Sequence, residues 1–170
     1  MGLGIKLTKT RTMNFRIKFS TLLLLIIASQ SCKDAVDEFY TEPREFRLIR
    51  IPLIHPCFAG STQRLEGPWF LFDCYGYMGS MEVNYIDVLD SVIVGFYYTK
   101  WTVVPEKVDT TWHIIVPFDK TSYQYNNEKE FYNKLNEFTY RKPNFVEASN
   151  LWLEFKEKGY LEWFPKEYKH

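Results

Sequence analysis

The chain has 170 residues, with 21 Lys and Arg set against 21 Asp and Glu. The balance is uneven along it: five cations (Lys6, Lys9, Arg11, Arg16, Lys18) but none of the acids precede residue 32, which leaves a net −5 beyond it. A mildly acidic stretch of that length suits one domain with a single core, and it excludes nucleic-acid binding, because phosphate affinity rests on clustered Lys and Arg.

Arg16 and Lys18 stand before the apolar run FSTLLLLIIA, residues Phe19 to Ala28, and Ser29-Gln30-Ser31-Cys32 follows at once. A basic flank, an apolar core of roughly 7–15 residues and small residues after it make a secretion signal; a membrane-spanning helix needs about 20. These residues, ending on Cys32, resemble the lipobox of bacterial lipoproteins. The resemblance implies cleavage before Cys32 and lipidation there, palmitate included. That would anchor the protein in the cell envelope, at the outer membrane, on its periplasmic face or the cell surface. The run Lys33-Asp34-Ala35-Val36-Asp37-Glu38 is similar to the tether of Bacteroidota-type surface lipoproteins, where it favours export to the outer face. Two other readings stand: ordinary signal peptidase leaves Cys32 unlipidated, or Leu22–Ile27 is a core segment of a cytosolic fold. The lack of any acid before Asp34 counts against the second. The expected boundaries are a signal over 1–31 starting at Met13, a polar tether over 32–44, a domain over 45–165 and a polar tail over 166–170.

Phe46 to Ile54 is β-branched enough for a strand, and Pro52 and Pro56 make it an edge or a short one. Cys57 to Gly67 reads as loop. Its Gly60-Ser61-Thr62 lacks the lysine of a phosphate-binding loop. Cys57 and Cys74 are an even pair in an oxidising compartment. Bridged, they would close a loop worth roughly 3 kcal/mol; unbridged, they would pack as small hydrophobes.

Trp69 to Phe72 reads as a buried strand. Val83–Val88 and Val92–Tyr98 form the clearest strand pair, with Asp90-Ser91 as the turn, and Gly95 marks a bulge or a close backbone approach. Trp101 to Val104 extends the sheet, Thr111 to Val116 is another strand, and Asp119-Lys120-Thr121 turns it into Ser122–Tyr125. Asn127 with Glu130 is an N-cap and capping-box pair opening a helix with Phe131, Leu135 and Phe138 on one face. A second helix carries Ala148, Leu151, Trp152 and Phe155, and Gly159 caps it. Tyr160 to Phe164 reads as a closing strand. The fold expected is α+β: a mostly antiparallel five- to six-stranded meander, then two helices and a short C-terminal strand. In outline it is similar to small Bacteroidota-type lipoproteins, which share an Arg-Ile-Pro-Leu-Ile-like strand and a closing G-Y-L-x-W-F-P segment, Gly159 to Pro165 here.

The chain carries no G-x-S-x-G, H-E-x-x-H or paired C-x-x-C motif. His55 and Cys57 flank Pro56 in an extended segment, a poor geometry for a nucleophile and its base. His113 sits in a strand, and three histidines are too few for a metal site. No catalytic residue, cofactor or metal is therefore expected. The aromatics, 18% of residues, either fill the core or leave an exposed platform, Trp101 being the tryptophan expected to be least buried. The expected function is non-enzymatic: anchorage to the membrane through Cys32 and binding of a protein partner in the periplasm or at the cell surface, an immunity-type role being one form. The alternative is glycan binding through exposed tryptophans.

Overall fold

The structure is a computed structural model that describes residues 35–41, 49–62, 65, 67–74, 81–100 and 108–169. Cys32 and Trp101 lie outside the described residues, as does the extension expected over Trp101 to Val104. The chain divides into two compact units, Met1–Glu38 and Phe39–His170, and the second is described below. It begins at Phe39, which with Tyr40 is buried, so the tether expected over 32–44 ends six residues early. Both residues belong to a helical segment, α1, over 35–41.

The fold is mixed α+β with more strand than helix. The strands form two antiparallel sheets where one meander was expected. The first joins β1 (Ile49–Pro52), β2 (Phe58–Ser61), β3 (Trp69–Phe72) and β4 (Met81–Val83) in sequence order. The second runs in the order β8 (Thr121–Tyr125), β7 (Val108–Val116), β6 (Val92–Lys100), β5 (Tyr85–Leu89), β9 (Val146–Glu147). Between Met81 and Leu89 one stretch of chain serves both sheets, turning at Asn84. That residue is held from both sides: its N–H donates to the Phe96 carbonyl at 2.9 Å, and its own carbonyl accepts from Ala148 at 2.8 Å.

At Gly95 the two sheets meet closely. A methyl there would sit 2.6 Å from Val83 Cγ2 and 2.9 Å from the Tyr85 carbonyl oxygen, so a side chain has no room. In the β5–β6 turn Asp90 adopts φ 54°, a left-handed conformation that Asp tolerates better than most residues.

Helix α2 (Glu128–Leu135) starts where Asn127 Oδ1 accepts the Glu130 N–H at 3.2 Å, and it presses Phe131 and Leu135 onto the second sheet. These two residues close a core with Leu89, Val92, Val94, Ile114 and Val116. Helix α3 (Ala148–Lys158) ends at Gly159 with φ 77° and lies against β1 and β9. It buries Ala148, Leu151, Trp152 and Phe155.

Two expectations are corrected. Cys57 to Gly67, expected as loop, contains β2, which pairs with β1 and β3; Phe58-Ala59-Gly60-Ser61 carries no turn-forming Asn or Asp, and Ala59, buried from solvent, lies between Ile51 and Leu71. Tyr160 to Phe164 is a turn, not a strand. Leu161 and Phe164 bury together at a spacing of three, closed by the Phe164 N–H donating to the Leu161 carbonyl at 3.0 Å, a helical-turn period that strand alternation cannot satisfy. Lys166–Tyr168 then forms a 3₁₀ turn, which stacks Tyr168 on Tyr40 at 5.0 Å between centroids.

Candidate functional site

The outer face of the second sheet carries two kinds of surface. Alternation along β6 and β7 sends Val92, Val94, Ile114 and Val116 to this face beneath α2. Further along the same strands it sends Phe96, Tyr98 and Trp112. Because Tyr85 opposes Phe96, Phe96 opposes Trp112 and Trp112 opposes Tyr125, an aromatic row crosses four strands at right angles. Tyr85 and Phe96 stack at 4.7 Å with an 11° interplanar angle, and Phe96 meets Trp112 at 4.6 Å. Phe145 packs against both Phe96 and Trp112. Tyr98 stands beside Tyr85 and is 40% exposed.

Tyr85 and Phe96 turn their faces to each other, so neither offers that face to solvent. Partial burial first, then Tyr98 and finally Glu147 push the Tyr85 phenol above its ordinary value. It therefore stays protonated as a hydrogen-bonding group.

Beside the row lies an open notch of about 610 Å³, with Trp112 in its wall and Asn126 and Glu128 at its rim. It arises from mismatched strand lengths: β7 runs for nine residues, but β8 pairs only with its last five, from Trp112 onward. The carboxylates Glu128 and Glu147 are exposed around this surface.

A second cavity, of about 370 Å³, is bounded by Asp87, Asp90, Arg141, Glu162 and Trp163 among others. Its acids are committed to structure. Asp87 accepts from the Asn144 N–H at 2.7 Å and the Val88 N–H at 2.8 Å. Asp90 accepts from Thr139 Oγ1 at 3.2 Å and Arg141 at 3.4 Å. Burial raises the Asp87 carboxyl despite these donors, with Glu162 adding to the shift. Together the two aspartates clamp the segment between α2 and β9 onto the β5–β6 hairpin.

The other residues singled out in the sequence disperse. Cys57 and Cys74 are joined as a disulfide, with Cα atoms 4.5 Å apart, linking the start of β2 to the end of β3. His55 packs edge-on to Phe39, and its N–H donates to the Tyr40 hydroxyl at 3.1 Å, so it serves the seam between α1 and the first sheet. His113 is buried among the sheets, stacked on Tyr97. Neither of its ring nitrogens makes a hydrogen bond, and burial holds its pKa down at about 4, eased slightly by the Glu82 backbone. Among the tryptophans, Trp69 and Trp152 are in the core; Trp163 is half-buried and donates to the Pro52 carbonyl at 3.1 Å. Trp112 faces the notch. The sequence reading missed it as a site residue because alternation shows which face a side chain takes, not where a covering helix stops.

Among the described residues no cluster of three or more His, Cys, Asp or Glu could hold a metal ion. No described helix is long and apolar enough to cross a membrane. Comparison with known proteins found no matching family model, no matching curated protein and no matching solved structure.

Proposed function

We propose that the protein is a lipid-anchored, non-enzymatic envelope protein that binds a protein partner through the partly exposed aromatic row of its second sheet. The observation carrying this reading is the row Tyr85–Phe96–Trp112, which α2 and Phe145 cover only at its Trp112 end and which leaves Tyr98 exposed beside it. Tyrosine and tryptophan dominate the energetic centres of protein interfaces, where an apolar ring and a hydrogen-bonding tip work together. Exposed acids around the row favour a partner with a basic surface. Shielding the cell from a contact-delivered toxin, an immunity-type role, is one form such binding would take.

The orientation of the rings ranks this above glycan binding. A sugar stacks on an open ring face, and Tyr85 and Phe96 present their faces to each other. Titrating oligosaccharides against tryptophan fluorescence checks the ranking: no saturable quenching is expected, and saturable quenching at millimolar sugar would reverse it. The anchor is supported by the apolar run of residues 19–28 ending close to Cys32. One acyl chain binds membranes only marginally, and several hold firmly. Mass spectrometry of the native chain should find Cys32 acylated at the new N-terminus, and Cys32→Ala should release the protein or leave it unprocessed. An unmodified Cys32 behind an intact leader would end this part of the reading.

A further inference from the structure

Phe118 and Tyr140 are the most exposed large apolar side chains among the described residues, at 89% and 98%. They are distant in sequence, yet the topology brings them to one end of the second sheet. Phe118 lies in the β7–β8 turn, which the Lys120 N–H closes by donating to the Pro117 carbonyl at 3.2 Å. Since Ile93 opposes Ile115, the Asp90-Ser91 turn lies at the same end of the sheet, with Asp90, at the end of β5, two strands from β7, about 10 Å. Asp90 is bonded to both Thr139 and Arg141, so Tyr140 stands between two residues tied to that turn. Lys120, Arg141 and Lys142 are exposed around the rings; the exposed acids near them are Asp119, Asp90, which is paired with Arg141, and Glu162, which lines the cavity shared by Arg141 and Lys142. The start of the folded unit lies on the same side. Tyr40 packs on Phe164, and the adjacent Trp163 lines the cavity that Asp90 and Arg141 share.

We propose that this end of the second sheet rests on a lipid bilayer, with Phe118 and Tyr140 entering the headgroup boundary and Lys142 facing lipid phosphates. A single exposed apolar residue needs no explanation. Two at nearly full exposure, gathered from separate loops and flanked by Lys and Arg, reproduce the composition of interfacial anchors. A bilayer is favoured over a protein here because Phe39 follows Cys32 by only seven residues, a reach of at most about 25 Å. That last argument rests on the acylation proposed above, but the surface can be tested without it.

Residues 33–170 suffice for the test, because the described core lies within Phe39–His170, and without Cys32 they carry no lipid. The fragment is sedimented with vesicles of phosphatidylcholine alone and with vesicles containing phosphatidylglycerol. It should bind both and favour the anionic ones. The double variant Phe118→Ser, Tyr140→Ser should lower partitioning about tenfold with an unchanged melting temperature. Lys142→Glu should weaken only the anionic arm. No sedimentation, or a double variant that binds as well as the parent, would overturn the proposal. So would a photoreactive residue at position 118 of the full chain in cells that captures protein instead of lipid. The vesicle results do not depend on whether Cys32 is acylated; the photocapture result is read together with the mass of Cys32.

Discussion

One face of the second sheet is sealed at one end and open at the other, although the same strands build both. Under α2, Leu89, Val94, Ile114, Phe131 and Leu135 are each no more than 1% exposed. At its edge Trp112, still in contact with Phe131 and Tyr132, is half-buried; beyond it Phe96 is half-buried and Tyr98 is exposed. The strands do not change character between the two; the helix runs out. At eight residues α2 is about 12 Å long, while nine-residue β6 extends about 30 Å. A short helix over a long strand is thus how this fold keeps aromatic side chains partly in water.

The contrast can be broken most forcefully at Phe131. Removing its fully buried ring in Phe131→Ala should cost about 3–5 kcal/mol, read as a large drop in melting temperature. A loss under about 1 kcal/mol would mean that α2 does not seal the sheet.

His113 sharpens the contrast from the opposite face. Its folded pKa, about 4, lies below the ordinary 6.5, so the unfolded chain binds the extra proton first. Stability is therefore complete above about pH 6.5 and falls as pH drops towards 4, by roughly 3 kcal/mol in total. Denaturant titrations across that window should show the slope, and His113→Leu should flatten it; an unchanged slope would contradict the burial account.

Gly95→Ala should cost about 1–3 kcal/mol through the clash with Val83 and the Tyr85 carbonyl. Thermal unfolding measures it, and neutrality would show that the sheets can part there freely. The smallest effect on stability should come from the open end: Tyr98→Ala should change it by less than about 1 kcal/mol while weakening partner capture about tenfold or more. Capture that survives this substitution would place the interface elsewhere.

Much of the local structure was legible because single residues dictate it. Asn127 with Glu130 and Gly159 mark helix ends through capping that needs no tertiary partner, and Asp90-Ser91 marks a turn in the same way. The placement of Gly95 at a close approach was also readable, since a glycine inside a β-branched run seldom has another cause. The division into two sheets was not legible. It depends on Asn84 reaching Phe96 and Ala148 at once, a pairing across sequence that no periodicity reports. Tyr160–Phe164 misled because four apolar and aromatic residues around one acid fit a strand until Leu161 and Phe164 are seen to bury together. The candidate site was the least readable part: it exists because α2 and β8 are both shorter than the strands they accompany, and lengths emerge only from the folded pairing.

The most direct test of the open face is a photoreactive residue placed at position 98 of the full chain in the intact envelope, compared with one at Asn133 on the exposed side of α2. A discrete protein adduct from position 98, with none from position 133, is the predicted result. No adduct from position 98, or the same adduct from both positions, would contradict the account.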